Sequence, residues 1–408
     1  MSSPPYRVLL AENTIRGLGG SYESLFVTAT ALDRTRFEPI VLFFQQNHFV
    51  AKLRDRGIRV LIETSHQFWE REEYLEKASP VRARLPRRGI LGGLRRKLVA
   101  FLRAIVGGLP MGWTVYRTLR RERIDLLHTN NNLQRDAMMI LAACAAGVPV
   151  VAHERQLAVC SLFTRLLSKR VRVLVCISDA VLEFTRSSGA RTRDRRRIHN
   201  AIDTSSTGAV RPALEPGPKR VGIVGRILPK KGQKYFILAA RRVREAVPST
   251  EFYVIGQSTG ENKAYEEEVR ELARNSGLES RVHWTGHVDG PLGLMASLDV
   301  IVHAAIEPEP FGRVIIEAMA LGRPIVATAL GGPVEILRDG ESGFLVPPAD
   351  PDAIADRVVL LLRDEGVARQ MGEAARSRSH DFGVDNYIRQ IMMAYDDALI
   401  ASGHGVKP

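Results

Sequence analysis

Twice in this chain a short apolar run ends in a glycine-containing loop that opens a helical stretch. The first is Tyr6–Ala11 (YRVLLA), with the loop ENTIRGLGG and a helix from about Ser21. The second is Arg220–Gly225 (RVGIVG), with the loop RILPKKG and a helix beginning near Gly232. Strand, glycine loop and helix form the first unit of a doubly wound parallel sheet. One such opening in each half of a 408-residue chain predicts two domains.

Further apolar runs extend both series. Phe37–Phe44, Arg59–Ile62, Ile124–His128, Val148–Ala152 and Val171–Ile177 read as strands of the first. Residues 251–256, 281–285, 298–303, 324–328 and 343–346 read as strands of the second. Asp203–Lys219 is rich in Ser, Thr, Gly and Pro and marks a linker. The predicted division is therefore 1–203, a linker over 204–218, 219–382, and a last helix and tail over 383–408.

Two stretches carry chemistry. In Glu307–Pro324 (EPEPFGRVIIEAMALGRP), Glu309 and Glu317 stand eight apart. Pro310 suits a first helical turn, RVIIEAMAL reads as a buried helix, and Gly322 with Pro324 stops it. Two carboxylates then flank a helix start, whose free N–H groups and positive dipole end suit a diphosphate. In Gly225–Gly232 (GRILPKKG), Arg226 and Lys231 lie in a strand-to-helix loop. Arg grips phosphate oxygens bidentately and Lys adds a point charge, so together they can neutralise a departing diphosphate without a metal ion. No Asp-x-Asp and no His/Cys cluster occurs at a strand end, so no metal site is expected.

Other candidates lie in the first half. His128, Asn130 and Asn131 sit at the end of a predicted strand, where open α/β sheets bind ligands. The alternative is that this polar cluster only caps the next helix. His153 and Glu154 follow the strand Val148–Ala152. Gly17, Gly19 and Gly20 do not have the spacing of a dinucleotide fingerprint.

The E-x7-E stretch and the G-R-x-x-x-x-K-G loop resemble the retaining glycosyltransferases of family 4, and the likeness covers nearly the whole chain. It implies an α/β GT-B fold: two Rossmann-like doubly wound domains facing across a cleft, with the C-terminal helix crossing back to the N-terminal domain. It implies transfer of a sugar from a nucleoside-diphosphate sugar, most often a UDP-sugar, to a glycan or lipid-linked acceptor with retention. Residue by residue, it assigns Arg226 and Lys231 to the diphosphate, Glu309 to the donor sugar and Glu317 to the ribose. Backbone N–H groups of Phe311, Gly312 and Arg313 would face sugar and phosphate. His153 would reach the donor sugar, and the backbone at Gly19 and Gly20 would approach donor phosphates and acceptor. The basic N-terminal domain would take the acceptor, through His128, Asn130 and Asn131. His303-Ala304 departs from the family's usual P-S, Ala201 replaces a glycine in N-G-V-D, and Glu23 is displaced by one from the usual acid. Gly331–Glu335 resembles the family's G-G-x-x-E turn and reads as structural.

Charge is unevenly placed. Residues 1–210 hold 34 Lys+Arg against 18 Asp+Glu, a net +16, while the remainder holds 24 against 27, a net −3. Lys77–Arg121 has twelve basic residues and no acidic one. Within it Ile90, Leu91, Leu94, Leu98, Phe101, Leu102 and Ile105 recur at helical spacing. Such a helix either lies in an anionic membrane surface or packs on its own domain with a solvated basic face. Neither a membrane-spanning run nor a signal peptide is evident, so a cytoplasmic protein is expected, with the inner membrane face as the place a basic helix would take it. Cys144, Cys160 and Cys176 read as buried thiols in a reducing compartment.

Three rival functions differ in what they require. A sugar-nucleotide epimerase shares the architecture. A nucleic-acid-binding protein would explain the basic half, but aromatic residues are only 6% and no recognised motif accompanies the charge. A nicotinamide-dependent oxidoreductase calls for a G-x-G-x-x-G after a first strand, which is missing.

Overall fold

The structure, a computed structural model, describes residues 4–14, 20–63 and 108–403. The chain divides into two compact units: Met1–Ile177 with Val181–Ile198 and Ile388–Pro408, and Ser178–Ala180 with His199–Tyr387.

The first unit is built on β1 (Tyr6–Glu12), β2 (Phe37–Phe43), β3 (Arg59–Ile62), β4 (Leu126–Thr129), β5 (Val150–Glu154), β6 (Val173–Cys176) and β7 (Asp194–Arg197). All pair in parallel, in the order β3-β2-β1-β4-β5-β6-β7. Leu9 of β1 pairs with Ile40 of β2 on one side and Leu127 of β4 on the other. Parallel strands covered on both faces need unbroken apolar runs, and β4, β5 and β6 are buried at every residue. The exception is β7, drawn from the basic Arg191–Arg197 cluster that gave no strand signal. It lies at the sheet edge, where charged side chains reach water and discourage further pairing.

The second unit repeats the plan with β8 (Arg220–Val224), β9 (Glu251–Ile255), β10 (Val282–Gly286), β11 (Val300–His303), β12 (Ile325–Thr328) and β13 (Phe344–Val346). These also pair in parallel, in the order β10-β9-β8-β11-β12-β13. Each unit therefore reverses strand order once, between β1 and β4 and between β8 and β11. Such switch points are where open sheets offer a crevice beyond the carboxyl ends of their strands.

Several details differ from the sequence reading. The stretch read as linker contains a short helix, Thr204–Gly208. His153 and Glu154 belong to β5 itself, because Val151–Glu154 stay in register with Val173–Cys176 of β6. Cys144 is exposed, on the outer side of the helix Ala137–Ala146, whereas Cys160 and Cys176 are buried; all three are free thiols. The last helix is Val384–Ile400, and from Ile388 it belongs to the first unit. Of the basic stretch, residues 77–107, including the Ile90–Ile105 stripe, lie outside the described residues. Its end, 108–121, is a helix that buries Met111, Val115 and Leu119 and exposes Leu109 and Trp113. No described helix is long and apolar enough to cross a membrane.

Candidate active site

The carboxyl ends of β8 and β11 bring both sequence motifs of the second unit together. From β8 the chain runs through Gly225 and Arg226 into a 3-10 turn, Pro229–Lys231, then the helix Gln233–Ala246. Gly232 joins them with φ 71°, and a Cβ there would lie 1.8 Å from the Ala304 carbonyl oxygen, just beyond β11. Only glycine tolerates that conformation and that approach. Packed so, the turn points Lys231 at the loop after β11.

Lys231 Nζ lies 2.6 Å from Glu309 Oε2, with both side chains about four-fifths buried. His303, the last residue of β11, places Nε2 3.7 Å from the same oxygen. Burial alone would raise the Glu309 carboxyl, but His303 and Lys231 outweigh it and hold the group far below the usual carboxylate range. Glu309 is thus a buried, ionised carboxylate. Lys230, one residue earlier, is exposed and lends only its carbonyl, which accepts from Ile306 N–H at 3.0 Å. Arg226 is exposed, and its carbonyl accepts a hydrogen bond from Gln233 at 2.9 Å.

After Glu309 the chain takes a course that the sequence reading placed differently. Pro310 does not enter the helix, which runs Arg313–Ala320. Gly312 precedes it with φ 107°, a left-handed turn that delays the helical start by three residues. Among the described residues the N–H groups of Phe311 and Gly312 donate to no backbone carbonyl. Glu317 lies one turn into the helix and pairs with Arg313 at 3.4 Å. The loop is fixed from below: Gly332 N–H donates to the Glu309 carbonyl at 2.8 Å. A Cβ on Gly331 would come within 2.4 Å of that carbonyl oxygen, and one on Gly332 within 2.2 Å of the Phe311 oxygen. Glu335 of the same G-G-x-x-E turn accepts from the backbone N–H groups of Asp179 (2.7 Å) and Ala180 (2.9 Å) and meets His199 at 3.3 Å.

In the first unit, the ends of β1, β4 and β5 enclose a buried polar network. Tyr395 OH is 2.5 Å from His128 Nδ1, and His128 Nε2 is 3.3 Å from His153 Nδ1. Arg155, itself buried, donates to His153 Nδ1 (3.0 Å) and to Asn130 Oδ1 (2.7 Å). Asn130 donates to Glu12 at 2.6 Å, and Asn131 to the Thr14 hydroxyl at 2.6 Å. His128, Asn130 and Asn131 are each at most 2% exposed, and their side chains are engaged with neighbours in this network. Burial, then the Arg155 charge, keeps both His128 and His153 neutral, lowering His128 to about 3 and His153 well below its ordinary value. His153 Nε2 is buried with no hydrogen-bond partner among the described residues. Gly20 opens the helix Gly20–Ala31, while Gly19 lies outside the described residues. The sequence reading missed Arg155, Tyr395 and Glu12, which meet only because distant strands and the last helix converge.

Residues 47–206 match the model of Glycosyltransferase Family 4, and residues 210–378 match that of Glycosyl transferases group 1. The chain belongs to glycosyltransferase family 4. A phosphatidyl-myo-inositol mannosyltransferase of Mycobacterium leprae is 35% identical to this family-4 chain over 223 residues, 52% of this chain and 56% of that protein. An N-acetyl-alpha-D-glucosaminyl L-malate synthase of Bacillus anthracis is 35% identical over 132 residues, 32% of this chain and 34% of that protein. The matched part thus spans about half, or less, of these relatives' own length. Among solved structures, Anabaena HepE in complex with UDP and glucose superposes with a TM-score of 0.74 at 24% identity, covering 95% of this chain and 98% of that one. A glycosyltransferase from Rickettsia africae gives 0.76 at 18%, covering 97% and 99%. These likenesses, with the two parallel sheets, make the fold of the family-4 chain GT-B.

Proposed function

We propose that this protein transfers a sugar from a nucleoside-diphosphate sugar to a glycan or lipid-linked acceptor with retention of anomeric configuration. The observation that carries the proposal is the ionised, buried Glu309 held by Lys231 directly before a helix, where the Phe311 and Gly312 N–H groups serve no backbone carbonyl among the described residues. A carboxylate, a cation and a helix start in one place offer acceptors for sugar hydroxyls and donors for phosphate oxygens. Glu309 takes the sugar hydroxyls, Glu317 the ribose, and Arg226 and Lys231 the diphosphate, with backbone N–H groups of Phe311, Gly312 and Arg313 facing sugar and phosphate. The names of the relatives support sugar transfer, and HepE bound to UDP supports UDP as the donor nucleotide.

As the bond from the anomeric carbon to the diphosphate oxygen breaks, negative charge grows on the leaving group. Preorganised cations and a helix end stabilise that charge without having to reorganise, and such stabilisation is the main way a site of this kind lowers the barrier. The acceptor oxygen bonds to the same face of the anomeric carbon, and its proton passes to the departing phosphate. Arg226 and Lys231 provide the positive charge, so no divalent metal is required. His153 supplies an N–H to the donor sugar, and the backbone at Gly19 and Gly20 approaches the donor phosphates and the acceptor. The basic stretch Lys77–Arg121 brings the protein to an anionic membrane surface, read by co-sedimentation with anionic against neutral vesicles at low and high salt.

The test is transfer from UDP-sugars with the product's anomeric proton followed by NMR, with and without a chelator. An axial donor should give an axial product, unaffected by chelation. An inverted product, or activity abolished by the chelator and restored by manganese, would contradict this reading.

A further inference from the structure

His303 ends β11 at 6% exposure, and neither ring nitrogen has a hydrogen-bond partner among the described residues. Buried polar atoms left idle cost free energy, and each asks for an explanation. The nearest charged group is Glu309, with His303 Nε2 3.7 Å from Oε2, too far for a hydrogen bond. That oxygen is already taken by Lys231 Nζ at 2.6 Å. One largely buried carboxylate therefore has a cation in contact and, a small movement short of hydrogen-bond distance, an imidazole that already helps to keep it ionised.

Lys231 cannot hold two anions equally well. If its ammonium turns toward a bound diphosphate, Glu309 is left as a buried carboxylate without a counter-ion, which is strongly unfavourable. We propose that His303 is the reserve partner of Glu309, closing onto the carboxylate and donating an Nε2–H hydrogen bond when a diphosphate draws Lys231 away. His303 is thus a positioning residue that acts through Glu309. It lets one lysine serve the resting site and the loaded one. The diphosphate half of the argument rests on the function proposed above; the exchange between Lys231 and His303 does not.

Two measurements on the full-length protein separate these halves. The first needs no ligand. In 15N-histidine-labelled Lys231→Met, which mimics departure of the ammonium, His303 Nε2–H should appear as a downfield, slowly exchanging proton that the wild type lacks. Its disappearance in Lys231→Met/His303→Phe assigns the signal, and Lys231→Gln replaces Lys231→Met should that variant misfold. An unchanged His303 spectrum would overturn the proposal. The second is UDP titration by calorimetry. His303→Phe should weaken UDP about tenfold or more, yet have no effect in a Glu309→Gln background, because a neutral amide needs no counter-ion. Equal losses in both backgrounds would mark a purely structural role and overturn the proposal. Should the wild type bind no UDP while the Lys231→Met spectrum shows the new hydrogen bond, the diphosphate reading fails and the handover stands.

Discussion

Among single residues, Lys231 and His303 show opposite degrees of legibility. The spacing of Lys231 to Gly232 distinguished it from Lys230, because the glycine sets which side chain the turn aims inward. His303 showed only as a departure from a resembled pattern, since neither burial nor distance to Glu309 is written in a strand-end residue. Arg155 and Tyr395 were illegible for the same reason, as their partners lie far along the chain. Asp136, beside this network, accepts from Asn131 N–H at 3.2 Å. Burial, then the nearby Glu12 charge, pushes it from 3.8 up to about 8. Between those values the unfolded chain has lost a proton that the folded chain keeps. The unfolded state then binds fewer protons, so this group's stabilising contribution falls as pH rises and is lost through about pH 8. In urea unfolding from about pH 5 to about pH 8, Asp136→Asn should lack this component and gain on the wild type as pH increases. A stability difference constant across that range would count against a protonated Asp136.

Strands and helices were read well where pattern and burial coincide. Residues 324–328 and 343–346 differ from β12 and β13 by one residue at their starts, because parallel strands buried on both faces leave an uninterrupted apolar trace. The helix after Glu309 was misplaced by its start, as proline's helical φ suggested Pro310 while Gly312's left-handed turn sets the boundary. The edge strand β7 was missed because its alternation is charged and its pairing comes from Val173–Cys176 alone. Gly232 ties the turn at the end of β8 to the chain leaving β11, and so decides where two elements meet. Gly232→Ala meets both a positive φ and the Ala304 carbonyl, and should destabilise the fold by more than about 1 kcal/mol in urea unfolding. Its diphosphate affinity should fall as well, since Lys231 loses its aim. An unchanged unfolding midpoint would show that the turn relaxes freely.

For the molecule as a whole, the repeated strand–loop–helix opening foretold two parallel sheets, and each sheet reverses order beside the motif that sequence alone singled out. The net +16 of residues 1–210 and −3 of the rest assign unlike surfaces to the two halves. The donor seat proposed for the second unit has Glu317 gripping the ribose and Glu309 the sugar. A ligand bound only to the folded state stabilises it by about 2.7 kcal/mol at one hundred times its dissociation constant, so thermal unfolding reads occupancy directly. UDP should raise the unfolding temperature of the wild type and of Glu309→Ala, and should lose most of that effect in Glu317→Ala. Equal losses in Glu309→Ala and Glu317→Ala, or no stabilisation of the wild type by millimolar UDP, GDP or ADP, would contradict the account.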